Sequence, residues 1–212
     1  MPQKNNREYR SMVVRALEPE ETEEKRVEGY ASTFNEPYTL YEDDWIVYRE
    51  QVDPAAFNDA DMADVIMQYD HQGRVFARIS NGTLEVTPDE TGLLINADLG
   101  GTELGRQLFD EIRGGYTDKM SFGFIVAEDT ELRSDLEDGR VDILRTLKRI
   151  AKVFDVSAVS LPANEGTSIG VATRGRIDGA IEEARAERLA AEQMKLEKQR
   201  TEVRAKALGG II

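Results

Sequence analysis

The sequence of 212 residues contains no cysteine and only one histidine, His71. The absence of cysteine excludes disulfides, thiolate metal ligands and a cysteine nucleophile. If the protein uses an imidazole base, that base has to be His71. Serine, threonine and carboxylate side chains remain as the groups that can carry nucleophilic or acid–base chemistry.

Positive charge and long apolar runs are also scarce. With 27 Lys and Arg residues against 41 Asp and Glu residues, the formal net charge is −14. Binding of nucleic acid depends on clustered Lys and Arg, so we expect no nucleic-acid partner and favour a basic protein surface. No apolar run approaches the roughly 20 residues that span a bilayer, and the N-terminus lacks the apolar core of a signal peptide. We therefore expect no membrane partner and a cytosolic protein.

Length and composition predict one folded domain with two appendages. Residues 1–11 are polar and are expected to form a flexible N-terminus, and the domain is expected over residues 12–170. After Gly175 the sequence becomes rich in Ala, Glu, Lys, Arg and Leu and has no proline. This composition predicts a long helix over residues 177–208, within a helical tail of residues 171–212.

Short alternating segments separated by turn residues predict a mainly antiparallel sheet. The predicted strands cover residues 12–17, 26–32, 45–52, 65–69, 74–80, 82–86, 92–98, 122–127, 141–147 and 153–161. We also predict a loop over 34–44, a helix start at Asp53 and an amphipathic helix over 102–113. The pattern indicates an α+β fold in which a curled sheet or barrel is surrounded by helices and followed by a long C-terminal helix.

Three residue types that form hydrolase triads occur in suggestive contexts. Ser121 lies between Met120 and a Phe-Gly-Phe run, where a predicted helix gives way to a strand. A serine hydroxyl needs a neighbouring base, and His71 follows a predicted buried strand. Asp155 shares a strand face with apolar residues, where an unpaired carboxylate is costly. Each residue alone is also compatible with a purely structural role.

In these contexts the sequence resembles the prohead maturation proteases of tailed phages. The resemblance rests on Tyr69-Asp70-His71 with Gly73-Arg74, on Met120-Ser121-Phe122-Gly123-Phe124, and on residues 155–164, and it covers the chain to about residue 170. It implies a fold similar to herpesvirus assemblin and a serine endopeptidase that works inside the prohead in the host cytoplasm. The implied partners are the major capsid protein, whose scaffolding segment the enzyme removes, and the protease itself.

The resemblance also implies residue roles. Ser121 corresponds to the nucleophile and His71 to the general base. Herpesvirus enzymes use a second histidine, which this chain lacks, so Asp155 is the candidate for the third member and Asp70 is the reserve. The backbone amides of Ala163 and Asn164 are candidates for the oxyanion hole.

Several expectations stay open at this point. Nothing in the sequence makes the carboxylates of the acidic turn over residues 18–24 converge on one point. We therefore expect no metal and no cofactor. Leu189, Leu196 and Val203 recur every seven residues, a stripe too sparse to promise a coiled coil. The C-terminal helix is therefore either solvated or a docking segment that binds the scaffold and is trimmed later. A homo-oligomer is also compatible with the sequence.

Two other functions compete with the protease. The acidic charge and the long helix are compatible with a non-catalytic capsid assembly or scaffolding protein. A hydrolase of small esters is disfavoured, because the sequence has no Gly-x-Ser-x-Gly elbow and no alternation of strands and helices.

Overall fold

Strands predominate in the computed structural model, which describes residues 7–16, 25–160 and 171–209. The strands are β1 Glu8–Ala16, β2 Arg26–Thr33, β3 Tyr38–Glu42, β4 Ile46–Val52, β5 Ile66–Tyr69, β6 Gln72–Arg78, β7 Leu84–Pro88, β8 Gly92–Asp98, β9 Lys119–Asp135 and β10 Val141–Val159. The helices are α1 Glu103–Arg113 and α2 Val171–Gly209. The predicted α+β class with a long C-terminal helix is confirmed.

The sheet is open, so the predicted barrel is wrong. Its strand order is β3-β4-β10-β9-β1-β2-β8-β7, and β5 pairs with β10 and β6 beside this path. The two end strands of this path, β3 and β7, are not paired with each other, and β10 has β4 and β5 as successive parallel neighbours along one edge. A ring of helices is also absent from the described residues, which contain two α-helices, α1 and α2, and one short 3-10 helix over Ile79–Asn81.

The longest pairing joins β9 and β10, which have 17 and 19 residues. We predicted three shorter strands here, over residues 122–127, 141–147 and 153–161. Instead β9 continues to Asp135, because exposed positions of a paired strand accept charged side chains without loss of the backbone ladder. Register shifts between Leu147 and Asp155 break the alternation that the sequence would otherwise show.

Three other boundaries differ from the prediction. The strand β3 forms within the predicted loop over residues 34–44. Asp53 begins a turn rather than a helix, and its carboxylate accepts a hydrogen bond from the amide of Ala55 at 2.9 Å. Residues 8–11 belong to β1 and not to a flexible N-terminus. Their polar sequence is misleading because the charges of Glu8 and Arg10 are buried against other charges.

Two apolar clusters hold the fold together. The larger one lies between the sheet and α1, whose buried side includes Leu108, Phe109 and Ile112. The helix begins after Thr102, whose hydroxyl accepts a hydrogen bond from the amide of Gly105 at 2.9 Å. The smaller cluster packs the first part of α2 on β3, β4 and β10.

The first part of α2 runs along β9 toward the β9–β10 turn. Ile177 and Ala184 of α2 are 3% and 5% exposed in the smaller cluster. Arg176 donates to Asp129 at 2.7 Å, and about two turns later Glu183 accepts from Arg133 at 2.5 Å. Because β9 runs from residue 119 to residue 135, the rest of α2 extends beyond the turn, away from the N-terminal end of β9.

Four charged residues form a buried ionic cluster: Glu8, Arg10, Glu50 and Arg145, each no more than 5% exposed. Arg10 donates to Glu50 at 2.5 and 2.8 Å and to Glu8 at 2.6 Å. Arg145 donates to Glu8 at 2.7 Å and to Glu50 at 2.8 Å. Burial lowers the pKa of Arg10, but Glu50, Tyr38 and Glu8 together outweigh this and hold the pKa above its ordinary value.

Removing one arginine from this cluster should destabilise the fold strongly. Arg145→Ala leaves the carboxylates of Glu8 and Glu50 buried with one cation fewer, which costs about 3–5 kcal/mol. Urea unfolding followed by circular dichroism measures this loss. Arg149→Ala is the control, because that side chain is 51% exposed and 3.7 Å from Glu128, and it should leave the urea midpoint unchanged. Equal urea midpoints for both variants would contradict the claim that the ionic cluster stabilises the fold.

Candidate active site

His71 lies in the tight turn between β5 and β6, and the turn itself is strained. Asp70 and His71 have φ values of 47° and 57°, in the left-handed region that tight two-residue hairpin turns require. A side chain in this region costs on the order of 1–2 kcal/mol. The turn is anchored to β10, because the amide of Asp70 donates to the carbonyl of Ala158 at 2.9 Å.

Ser121 is the third residue of β9, which lies between β1 and β10. Across the β9–β10 ladder it is paired with Ser157, and Gly123 is paired with Asp155. Because side chains alternate along a strand, these four positions share one face. Met120, Phe122 and Phe124 point the other way, into the larger core cluster.

The structure brings the side chains of Ser121, His71 and Asp155 into contact. The Nε2 atom of His71 lies 2.7 Å from the Oγ atom of Ser121, and its Nδ1 atom is hydrogen-bonded to Oδ2 of Asp155. Asp155 is 3% exposed and Ser121 1%. If Nδ1 carries the proton, it donates to the carboxylate, and the lone pair on Nε2 can accept the serine proton.

The carboxylate of Asp70, the reserve candidate, is hydrogen-bonded to Ser160 and not to the imidazole of His71. The carboxylate accepts hydrogen bonds from the amide of Ser160 at 3.0 Å and from the Ser160 hydroxyl at 3.1 and 3.2 Å. The side chain therefore fixes the turn to the end of β10. Among the two acids considered from the sequence, the one hydrogen-bonded to the imidazole is Asp155.

Ser157 is a site residue that the sequence analysis missed. It is fully buried, donates its hydroxyl to Oδ2 of Asp155 at 3.0 Å and accepts a hydrogen bond from the amide of His71 at 3.2 Å. One hydroxyl thus holds both the acid and the strained turn. A signal was present, because a residue two positions after Asp155 on a strand lies on the same face.

Gly123 leaves room for the acid. A Cβ atom at this position would lie 2.5 Å from Oδ1 of Asp155 and 2.9 Å from Cε1 of Tyr9. The close approach at Gly123 is therefore made by two side chains and not by backbone. A larger residue here would push Asp155 away from His71.

Other expectations for the site have a mixed outcome. Ala163 and Asn164, the candidates for the oxyanion hole, lie outside the described residues. Within the described ranges, no group of three or more His, Cys, Asp or Glu side chains is arranged to hold a metal ion. No helix in the same ranges is long and apolar enough to cross a membrane.

A buried carboxylate, an imidazole and a serine hydroxyl joined in this order form the arrangement that activates a serine for attack on a carbonyl. Comparison with curated proteins and with solved structures found no match. A family model described as caudovirus prohead serine protease matches residues 10–178, which include all three side chains. The match covers most of the chain, from β1 to the first turns of α2. The chain therefore belongs to the caudovirus prohead serine protease family.

Proposed function

We propose that this protein is a serine endopeptidase in which Ser121 is the nucleophile, His71 the general base and Asp155 the residue that orients the imidazole. The observation that carries the proposal is the hydrogen-bonded series from the Ser121 hydroxyl through His71 to Asp155. The family supports a protease role in general and disfavours the non-catalytic scaffolding protein and the small-ester hydrolase.

In the proposed mechanism, Nε2 of His71 takes the proton from Ser121 as Oγ attacks the carbonyl carbon of the peptide bond. The imidazolium is stabilised by the carboxylate of Asp155. When the tetrahedral intermediate collapses, Nε2 gives the proton to the leaving amine, and the acyl group stays on Oγ. Water then attacks the acyl carbon with His71 again as the base, which releases the acid and restores the hydroxyl.

The proposed substrates are the scaffolding segment of the major capsid protein and the protease itself, both inside the prohead in the host cytoplasm. Membership in a prohead protease family supports this choice, because such an enzyme acts among capsid proteins. We assign no metal and no cofactor to the reaction, since a serine, an imidazole and a carboxylate suffice for hydrolysis.

Ser121→Ala should abolish cleavage of both substrates, because removing the nucleophile of a triad lowers kcat by at least about 10⁴-fold. The measurement is intact mass spectrometry after coexpression with the major capsid protein. Ser134→Ala, an exposed serine on the same strand, is the matched control and should give the cleaved masses. A cleaved capsid protein in the Ser121→Ala sample would overturn the proposal.

Asp155→Asn and Asp70→Asn should separate the two acids. Asparagine at position 155 favours the wrong imidazole tautomer, so kcat should fall by about 10⁴-fold. Asparagine at position 70 tolerates the left-handed backbone and still accepts from Ser160, so kcat should stay within about tenfold. The assay uses a fluorogenic peptide that spans a cleavage site mapped by mass spectrometry. Equal losses, or a larger loss for Asp70→Asn, would contradict the assignment.

We further propose that the outer half of α2, residues 189–209, docks on the scaffold and is trimmed later. Every residue from Arg185 to Arg204 is exposed, and Leu189, Met194, Leu196 and Val203 are 49–67% exposed. The outer half also carries more Lys and Arg than Glu, within a chain of net charge −14. These features fit an acidic, partly apolar partner surface.

A chain that ends at Arg188 should test the docking role without loss of the core, because the buried residues of α2 precede that position. We expect the shortened protein to cleave the peptide normally but to enter procapsids less efficiently, as measured by its copy number in purified procapsids. A full-length variant with Lys195→Glu, Lys198→Glu and Arg200→Glu should share the defect. Its matched control carries Glu192→Gln, Glu197→Gln and Glu202→Gln. Unchanged incorporation of the shortened protein would refute the docking role.

A further inference from the structure

The imidazole of His71 has an aromatic neighbour on β1. The ring centroids of Tyr9 and His71 are 4.2 Å apart, and the ring planes are inclined by 56°. Tyr9 of β1 pairs with Gly123 of β9, which lies two residues after Ser121. The Tyr9 ring therefore lies over the gap that the missing side chain of Gly123 leaves, beside the three hydrogen-bonded groups.

Tyr9 is held in this position by the residues on either side of it. Side chains alternate along β1, so Glu8 and Arg10 point to the face opposite Tyr9. There they join the buried ionic cluster, and the guanidinium of Arg10 also lies 5.5 Å from the centroid of the Phe124 ring on the core face. The strand cannot slide by one residue without burying Tyr9 and exposing two clustered charges.

The imidazole needs such a support. It sits on a strained two-residue turn, and its two ring nitrogens are held by Ser121 and Asp155 only in the plane of the ring. A ring packed 4.2 Å from the imidazole centroid restrains rotation out of that plane. An aromatic face also attracts the imidazolium that forms when His71 takes the serine proton.

We propose that Tyr9 is a positioning residue for His71, and that the buried ionic cluster serves the reaction by fixing the strand that carries Tyr9. The inference rests on the proposed function, because it concerns the position of Nε2 of His71 relative to Oγ of Ser121, from which it is proposed to take a proton. In this role Tyr9 takes part in no proton transfer and no bond cleavage. It acts through the imidazole, by keeping it in the orientation in which proton transfer is fast.

Kinetics give the first test. Tyr9→Met keeps an apolar side chain of similar reach without a ring, and it should lower kcat by roughly 10- to 100-fold, the cost of a misplaced catalytic group. KM should change by less than about threefold, because substrate contacts are retained. Tyr9→Phe should retain most of the wild-type kcat, since the ring and not the hydroxyl makes the contact. Tyr116→Met, at a tyrosine that is 86% exposed, is the matched control.

The single histidine allows a second test that does not depend on activity. In protein without a histidine tag, the imidazole proton signals in an NMR spectrum can come only from His71. An aromatic ring displaces the signals of protons near its face. In a Ser121→Ala background, which prevents self-cleavage, Tyr9→Met should therefore move these signals, whereas Tyr9→Phe and Tyr116→Met should leave them in place.

The outcomes separate this inference from the proposed function. His71 signals that do not move in Tyr9→Met overturn the inference whatever the activity, and so does a moved signal with a wild-type kcat. A wild-type protein that cleaves no peptide and no capsid protein counts against the proposed function instead. Urea unfolding of each variant checks that Tyr9→Met is folded, and Tyr9→Phe, which keeps the ring, gives a second folded reference.

Discussion

The antiparallel register of β9 against β10 is the constraint on which the candidate site depends. Ser121 lies opposite Ser157, and Gly123 lies opposite Asp155. A slip of one residue in β9 would turn Ser121 into the core and Phe122 and Phe124 outward. The other edge of β10 accepts β5, whose turn carries His71. One strand therefore brings together three groups that are far apart in the sequence.

The site is assembled from features that each cost stability. Asp70 and His71 have left-handed backbone conformations, and Asp155 is a carboxylate with almost no access to water. Hydrogen bonds from Ser157, from the backbone of β10 and from the imidazole offset these costs. Burial of the charges in the ionic cluster on the opposite face also costs stability. These charges are tolerated only as a complete set, because each one needs its partners.

The sequence carries the chemistry of the site more clearly than its geometry. If an imidazole is the base, it has to be His71, the sole histidine, and Asp155 is notable as an acid on an apolar strand face. Asp155 was preferred to Asp70 through the family resemblance, and the residues alone do not show which way the two-residue turn presents its side chains. Ser157 was overlooked because serine on a strand is common, and only its contacts give it a role.

The fold was predicted in its class and in most of its strands, but not in its closure. Antiparallel hairpins can be inferred from local patterns, whereas the parallel pairing of β10 with β4 and β5 joins distant segments and leaves no local signal. The polar sequence at Glu8 and Arg10 suggested an unstructured end. Charges that are buried against each other have the same sequence pattern as charges in water, so the start of β1 was misplaced.

The direction of α2 has a consequence for the proposed self-processing. Its 39 residues make a rod about 58 Å long at 1.5 Å per residue, and its contacts with Asp129 and then Arg133 carry it away from Ser121. From Ser121 to Arg133 the strand itself extends about 40 Å at 3.3 Å per residue. While the rod remains helical, its far end is out of reach of the hydroxyl on the same molecule. A cut there has to be made in trans by a neighbouring copy, so its rate should rise with the local crowding of protease molecules.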